Sequence, residues 1–273
     1  MDSPNTLAFI GGGNMTTALV LGLQREPTPL SVMIAEPSDL RREQLAALFP
    51  NARVVADNRE AVRHADVVIL AVKPQVLPDV ARDLRSVLSH QPLIISIAAG
   101  ITTSRLADWL GENQPIVRAM PNTPALVGSA ATGLFATPRV DASGRDLAER
   151  VLRSVGLVTW LEDESLLDAV TALSGSGPAY VFLLMEAMEA AGEQLGLKSD
   201  DARLLCLQTV FGAAKLALES EDGPARLREK VTSPGGTTQA AIEVLERANF
   251  RELMEHAMQA AANRARELGG DET

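Results

Sequence analysis

One cysteine in 273 residues excludes an intrachain disulfide. That residue, Cys206, lies within Leu204-Leu205-Cys206-Leu207. The apolar setting suits a small buried hydrophobe better than a reactive thiol. Aromatic residues are also scarce, at 3%, although 46% of the chain is hydrophobic. The core is therefore expected to consist mainly of Leu, Val, Ala and Ile. Positive charge is in deficit as well. The net charge is −10 and no Lys/Arg-rich run occurs, which argues against non-specific nucleic-acid binding, since that mode needs cations to neutralise phosphates. No apolar run of spanning length is free of charges, so no membrane segment is expected. The chain enters a strand pattern almost at once, so no signal peptide is expected. Together these absences suggest a cytoplasmic protein with no nucleic-acid or membrane partner.

What is present is a change of pattern along the chain. The length suits one large or two modest domains. Short β-branched or apolar runs at 7–10, 31–35, 67–72, 93–97, 116–119 and 155–161 alternate with helical patterns at 14–24 and 38–49. Asp57 and Glu60 have the spacing of a capping box and open a short helix. The run Val67-Val68-Ile69-Leu70-Ala71-Val72 has the character of a parallel strand buried on both faces. Such alternation predicts a doubly wound parallel sheet, an α/β fold of Rossmann type. Beyond about residue 160 the pattern is helical, at 166–173, 179–195, 200–219, 225–231, 237–247 and 250–268. We therefore expect two domains, 1–162 and 163–273. The segment Tyr180-Val181-Phe182-Leu183-Leu184-Met185 is apolar around its whole circumference, so burial is expected there, a subunit interface being one way to provide it.

Four stretches carry chemistry. Gly11-Gly12-Gly13 joins a strand to a helix, a turn that lets backbone N–H groups approach a pyrophosphate at a helix N-terminus. Its third glycine position is taken by Thr16, and a simple tight turn is the competing reading. Glu36, just past the second strand, either accepts from an adenosine ribose and repels a 2′-phosphate, or is a solvated loop residue. Arg41 and Arg42 are nearby alternatives that would receive such a phosphate. Lysine is rare, at four of the 25 cationic residues, yet Lys73 sits at the end of a buried strand, held extended by Pro74. Ala119-Met120-Pro121-Asn122-Thr123-Pro124 is a stiff loop presenting Asn122 and Thr123. Ser233-Pro234-Gly235-Gly236-Thr237-Thr238 precedes a helix and forms either an anion nest or an ordinary N-cap.

These segments, with Phe9-Ile10-Gly11-Gly12-Gly13-Asn14-Met15, Ala71-Val72-Lys73-Pro74-Gln75, Ser96-Ile97-Ala98-Ala99-Gly100 and Leu173-Ser174-Gly175-Ser176-Gly177-Pro178-Ala179-Tyr180, resemble the pyrroline-5-carboxylate reductase family in order from residue 7 to about 268. The resemblance implies a Rossmann-type N-terminal domain and an all-α C-terminal dimerisation domain. It implies a homodimer, with a ring of five dimers as a further assembly. The cofactor would be NADPH or NADH and the substrate 1-pyrroline-5-carboxylate, giving L-proline. By position, Gly11, Gly12, Gly13, Asn14, Met15, Asn58, Val72, Lys73, Pro74, Ala98 and Ala99 would contact the dinucleotide, with Glu36 and Asn122 as further candidates. Glu164, Thr237 and Thr238 would face the substrate, and Ser176, Gly177, Ser233, Gly235 and Gly236 would line its pocket. No metal is implied. Thr16 and Glu36 depart from the family, which commonly has Ala at the first position and a small or basic residue at the second.

The residue inventory suits hydride addition to a protonated C=N bond, whose carbon is already electrophilic. Orientation then matters more than a strong acid–base pair, and His64, His90 and His256 all lie outside the motifs. On this reading the substrate carboxylate sits on the N–H groups of residues 235–238. The Thr238 hydroxyl bonds the ring nitrogen, and Glu164 stabilises the charged imine. Two rivals are a β-hydroxyacid dehydrogenase and a non-catalytic NAD(P)-sensing protein. The first uses a lysine with an asparagine four residues later. Lys198, Lys215 and Lys230 are followed at that spacing by Ala202, Glu219 and Pro234 instead. The substrate-side glycine–threonine loop argues against the second.

Overall fold

A computed structural model describes residues 5–27 and 30–269. The described chain divides into two compact units, one running to Ser176 and resuming at Ala260, the other Gly177–Gln259. The change in composition near residue 160 is thus not where the first unit ends.

In the first unit, strands β1 (Thr6–Ile10), β2 (Ser31–Ala35), β3 (Arg53–Val55), β4 (Val67–Leu70), β5 (Leu93–Ser96), β6 (Ile116–Met120), β7 (Ala130–Ala136) and β8 (Gly156–Trp160) form one sheet. Their order is β3-β2-β1-β4-β5-β6-β7-β8. All neighbours are parallel except β6 and β7, so the expected parallel sheet carries one antiparallel pairing. Helices α1 (Asn14–Leu23), α2 (Asp39–Leu48), α3 (Asn58–Val62), α4 (Leu77–Leu84), α5 (Thr103–Leu110) and α6 (Ala142–Arg153) connect the strands. Side chains alternate across a strand. Leu7 and Phe9 of β1 accordingly join a core with Leu19, Leu45 and Ile69, while Ala8 and Ile10 join another with Val62, Leu77 and Leu84. Both faces are covered, which is why β4 and β5 are apolar at nearly every position.

Asp57 does cap α3, accepting from Arg59 N–H at 2.8 Å. The return arm of the expected box is absent, because the Glu60 carboxylate pairs with Arg53 instead. After β8, α7 (Leu166–Val170) passes into one π-helical turn, Thr171–Gly175, before α8 (Gly177–Gln194). α7 packs on the sheet. A Cβ on Gly133 of β7 would lie 2.9 Å from the Val170 side chain.

The second unit holds α8, α9 (Ser199–Glu219), α10 (Pro224–Lys230), α11 (Thr237–Arg247) and the start of α12 (Phe250–Gly269). α8 packs on α9, where Cys206 is buried with its thiol 3.5 Å from the Met185 carbonyl. α8 buries no residue within the chain, so the burial expected of its apolar circumference is not supplied by this chain itself. Phe182 and Leu183 are 62% and 67% exposed. The helical run Leu166–Gln194 also reaches the length and apolar composition of a membrane span. That run carries Asp168, Glu186, Glu189 and Glu193, so it does not overturn the expectation that no apolar run of spanning length is free of charges.

Candidate active site

The strand order reverses between β1 and β4, and ligands of open α/β sheets bind at the carboxyl ends of such strands. β1 delivers the glycine turn there. Gly11 has φ +100°, and a Cβ on it would lie 2.8 Å from the Ala71 carbonyl oxygen; both facts require glycine. Its N–H donates to Ala35 O at 2.9 Å. α1 then opens at Gly13 with no side-chain cap and no acid in its first turn. Nothing lies within 4 Å of where a Gly13 Cβ would be. An uncapped helix start behind a glycine turn supplies free N–H donors and positive potential, so these residues fit a pyrophosphate. Thr16 is compatible with this packing: it is buried and its hydroxyl donates to Gly11 O at 2.6 Å. Asn14 is exposed and Met15 half-buried at that opening.

The other cofactor-side candidates follow neighbouring strands. Val72, Lys73 and Pro74 lie just past β4; Lys73 is exposed and its carbonyl accepts from Val76 and Leu77 N–H as the chain turns into α4. Ala98 and Ala99 follow β5, Ala98 being buried. Asn58 is the first residue of α3 and half-buried. Glu36 follows β2, its carboxylate accepting from Gly12 N–H at 2.9 Å and from Ser38 N–H at 3.0 Å.

Two candidates are engaged by the protein itself. The Asn122 amide donates to Ser174 O at 2.9 Å and accepts from Ala131 N–H at 3.0 Å. It ties the loop after β6 to the π-helical turn and to β7. Glu164 accepts from Thr103 N–H at 2.7 Å and from the Thr103 hydroxyl at 2.6 Å, and pairs with Arg118 at 3.1 Å. Its carboxylate thereby caps α5 and neutralises a cation in β6 that is only 5% exposed, a set of partners that leaves little for an imine. Asp168 adds a second anion, 3.8 Å from Arg118. The cluster lines a cavity of about 220 Å³ with Gly100 and Gly269. In the sequence Arg118 is only the residue that opens the Ala119–Pro124 family motif and has no assigned role, although an arginine inside the apolar run of β6 is the signal that marks it.

In the second unit, Gly235 has φ +71°, a conformation that favours glycine, and α11 starts at Gly236 without a side-chain cap. Gly235 N–H is engaged by the Gln239 side chain at 2.7 Å, and Gly236 N–H by Ser233 O at 3.0 Å. The expected four-donor nest is therefore corrected to the first-turn amides of Thr237 and Thr238. The Thr238 side chain is half-buried, and no described residue bonds its hydroxyl. Ser233 is exposed. Ser176 closes the first stretch of the first unit, its N–H donating to Thr171 O at 2.8 Å, and Gly177 is the first residue of the second unit.

A glycine turn feeding an uncapped helix, at the reversal point of a doubly wound sheet, defines a dinucleotide-binding oxidoreductase fold. Comparison with known proteins narrows the class. Residues 164–268 match the family model for pyrroline-5-carboxylate reductase dimerisation, and residues 6–100 that for NADP oxidoreductase, coenzyme F420-dependent. The chain is 48% identical to a pyrroline-5-carboxylate reductase of Pseudomonas aeruginosa over 98% of both chains. It superimposes on a Coxiella burnetii pyrroline-5-carboxylate reductase with a TM-score of 0.92 and 47% identity, covering 97% of this chain and 99% of that one. A Plasmodium falciparum pyrroline carboxylate reductase with NADP bound gives a TM-score of 0.86 at 29% identity, covering 98% and 99%. The chain belongs to the pyrroline-5-carboxylate reductase family.

Proposed function

We propose that the chain reduces the C=N bond of 1-pyrroline-5-carboxylate to give L-proline, with NADPH or NADH as reductant, as a cytoplasmic homodimer built by residues 163–273 that further assembles into a ring of five dimers. The carrying observation is the uncapped start of α1 behind Gly11-Gly12-Gly13 in a chain of this family. Gly11, Gly12, Gly13, Asn14 and Met15 would hold the pyrophosphate side. Asn58, Val72, Lys73, Pro74, Ala98 and Ala99 would line the remainder of the dinucleotide site. When bound, the reduced nicotinamide supplies hydride, and orientation of the acceptor is what the protein contributes.

The Thr237 and Thr238 amides at the start of α11 suit the substrate carboxylate, by the same donor logic as α1. Hydride and its electron pair form the new C–H bond at the imine carbon while the C=N π pair moves onto the protonated ring nitrogen, which keeps its proton and becomes a secondary amine. The Thr238 hydroxyl, half-buried and without a partner among the described residues, supports the role of hydrogen-bonding that nitrogen. Ser176, Gly177 and Ser233 would shape the pocket. Following loss of NAD(P)H absorbance with 1-pyrroline-5-carboxylate tests the reading. No turnover with either cofactor overturns it. Thr238→Val is expected to raise KM for the imine at least about tenfold, since a hydrogen bond to a charged group contributes about 1.5–3 kcal/mol. Unchanged kinetics would remove Thr238 from the site.

A further inference from the structure

We infer that Glu36 makes this chain discriminate between the two dinucleotides, favouring the one whose adenosine ribose carries a free 2′,3′-diol (NADH) over the 2′-phosphorylated one (NADPH). The inference rests on the dinucleotide site proposed above.

Glu36 is a fixed carboxylate, not a free loop side chain. One oxygen accepts from Gly12 N–H at 2.9 Å and the other from Ser38 N–H at 3.0 Å. These bonds hold it against the glycine turn. A Cβ on Gly12 would lie 3.1 Å from a Glu36 carboxylate oxygen and 3.2 Å from its Cβ. The lack of a side chain at Gly12 is what admits the glutamate there. A carboxylate has about four lone-pair sites and no donor when ionised. Two are engaged, so one remains on each oxygen, which matches the two donors of a vicinal diol. A 2′-phosphate carries only acceptors and about two negative charges, so it meets a fixed anion with nothing to donate.

The cations that would reverse this preference are engaged elsewhere. Arg41 donates to Gly12 O at 2.7 Å, to the Thr17 hydroxyl at 2.8 Å and to the Gln44 side chain at 3.2 Å. Arg42 donates to the carbonyls of Glu36 and Pro37, both at 2.8 Å, and pairs with Asp39. Receiving a phosphate would require breaking these bonds.

The test is equilibrium binding to the full-length protein, by titration calorimetry with NADH and NADPH and no substrate. NADH is expected to bind at least about tenfold more tightly, a difference of about 1.4 kcal/mol. Glu36→Ser, checked for native thermal unfolding, is expected to bring the ratio near unity or invert it. Glu36→Gln, which keeps an acceptor and loses the charge, should fall between. Equal or tighter binding of NADPH by the wild type overturns the inference while leaving the proposed function standing. So does an unchanged ratio in folded Glu36→Ser. Failure to bind either dinucleotide overturns both.

Discussion

At the scale of single residues, the most consequential contact is between Arg118 and Glu164. A buried guanidinium is tolerated only while its charge is matched, and breaking such a pair costs more than forming it contributes. Glu164→Ala would leave Arg118 with Asp168 as its anionic partner among the described residues and remove the acceptor for the Thr103 N–H and hydroxyl. We expect a loss of about 3 kcal/mol or more in urea unfolding. A substrate ligand would behave differently, with KM for the imine rising and stability holding. Gly11→Ala is a second single-residue test. Its positive φ and the 2.8 Å approach to Ala71 O forbid a side chain, so dinucleotide binding should fall sharply in calorimetric titration even where the protein remains folded. Gly11 was visible in the sequence because its turn is local. The Arg118–Glu164–Thr103 cluster was not, because its members lie 46 and 61 positions apart and meet only after the sheet has formed.

At the scale of elements, α6 shows how a helix start depends on one charge. Asp141 is its N-cap and accepts from Gly144 N–H at 2.7 Å. That bond, with a second from the Ser143 hydroxyl, holds the Asp141 carboxyl below the ordinary aspartate value of 3.8. A lowered folded-state pKa contributes stability that is present above the ordinary value and lost as pH falls through the folded one. Unfolding free energy measured from neutral pH down through that window should therefore decline, and Asp141→Asn, which keeps an acceptor without a titrating group, should flatten that part of the curve. An identical slope in the variant would show that the cap does not titrate as described. Cap signals of this kind, with the apolar runs of β1, β4 and β5, made much of the sheet unit legible. β7 was not legible. Its sequence Ala-Ala-Thr-Gly-Leu-Phe-Ala lacks a β-branched run, and its extended state comes from pairing with β6 on one side and β8 on the other. β3, at three residues, is too short to show a period of two.

At the scale of the molecule, the second unit leaves its apolar side chains open. Phe182, Leu183, Leu204, Leu205 and Phe211 are all exposed, and the family model that spans them describes dimerisation. Sedimentation equilibrium should show a dimer or a multiple of it, and Leu183→Glu should shift that mass toward the monomer. A wild-type monomer at micromolar concentration would contradict the assignment. The first unit is unusual in another respect, because it is not continuous in sequence. Its carboxyl-terminal piece packs backbone to backbone on the loop after β5, where a Cβ on Gly269 would come within 2.5 Å of Gly100 O. During synthesis, a ribosome will have released every strand of the sheet well before the partner for Gly100 emerges. The nascent sheet must wait, with that seam open to chaperones and proteases, through the translation of the whole helical insert. A chain stalled or cut within that insert would keep its eight strands and still lack the piece that seals them.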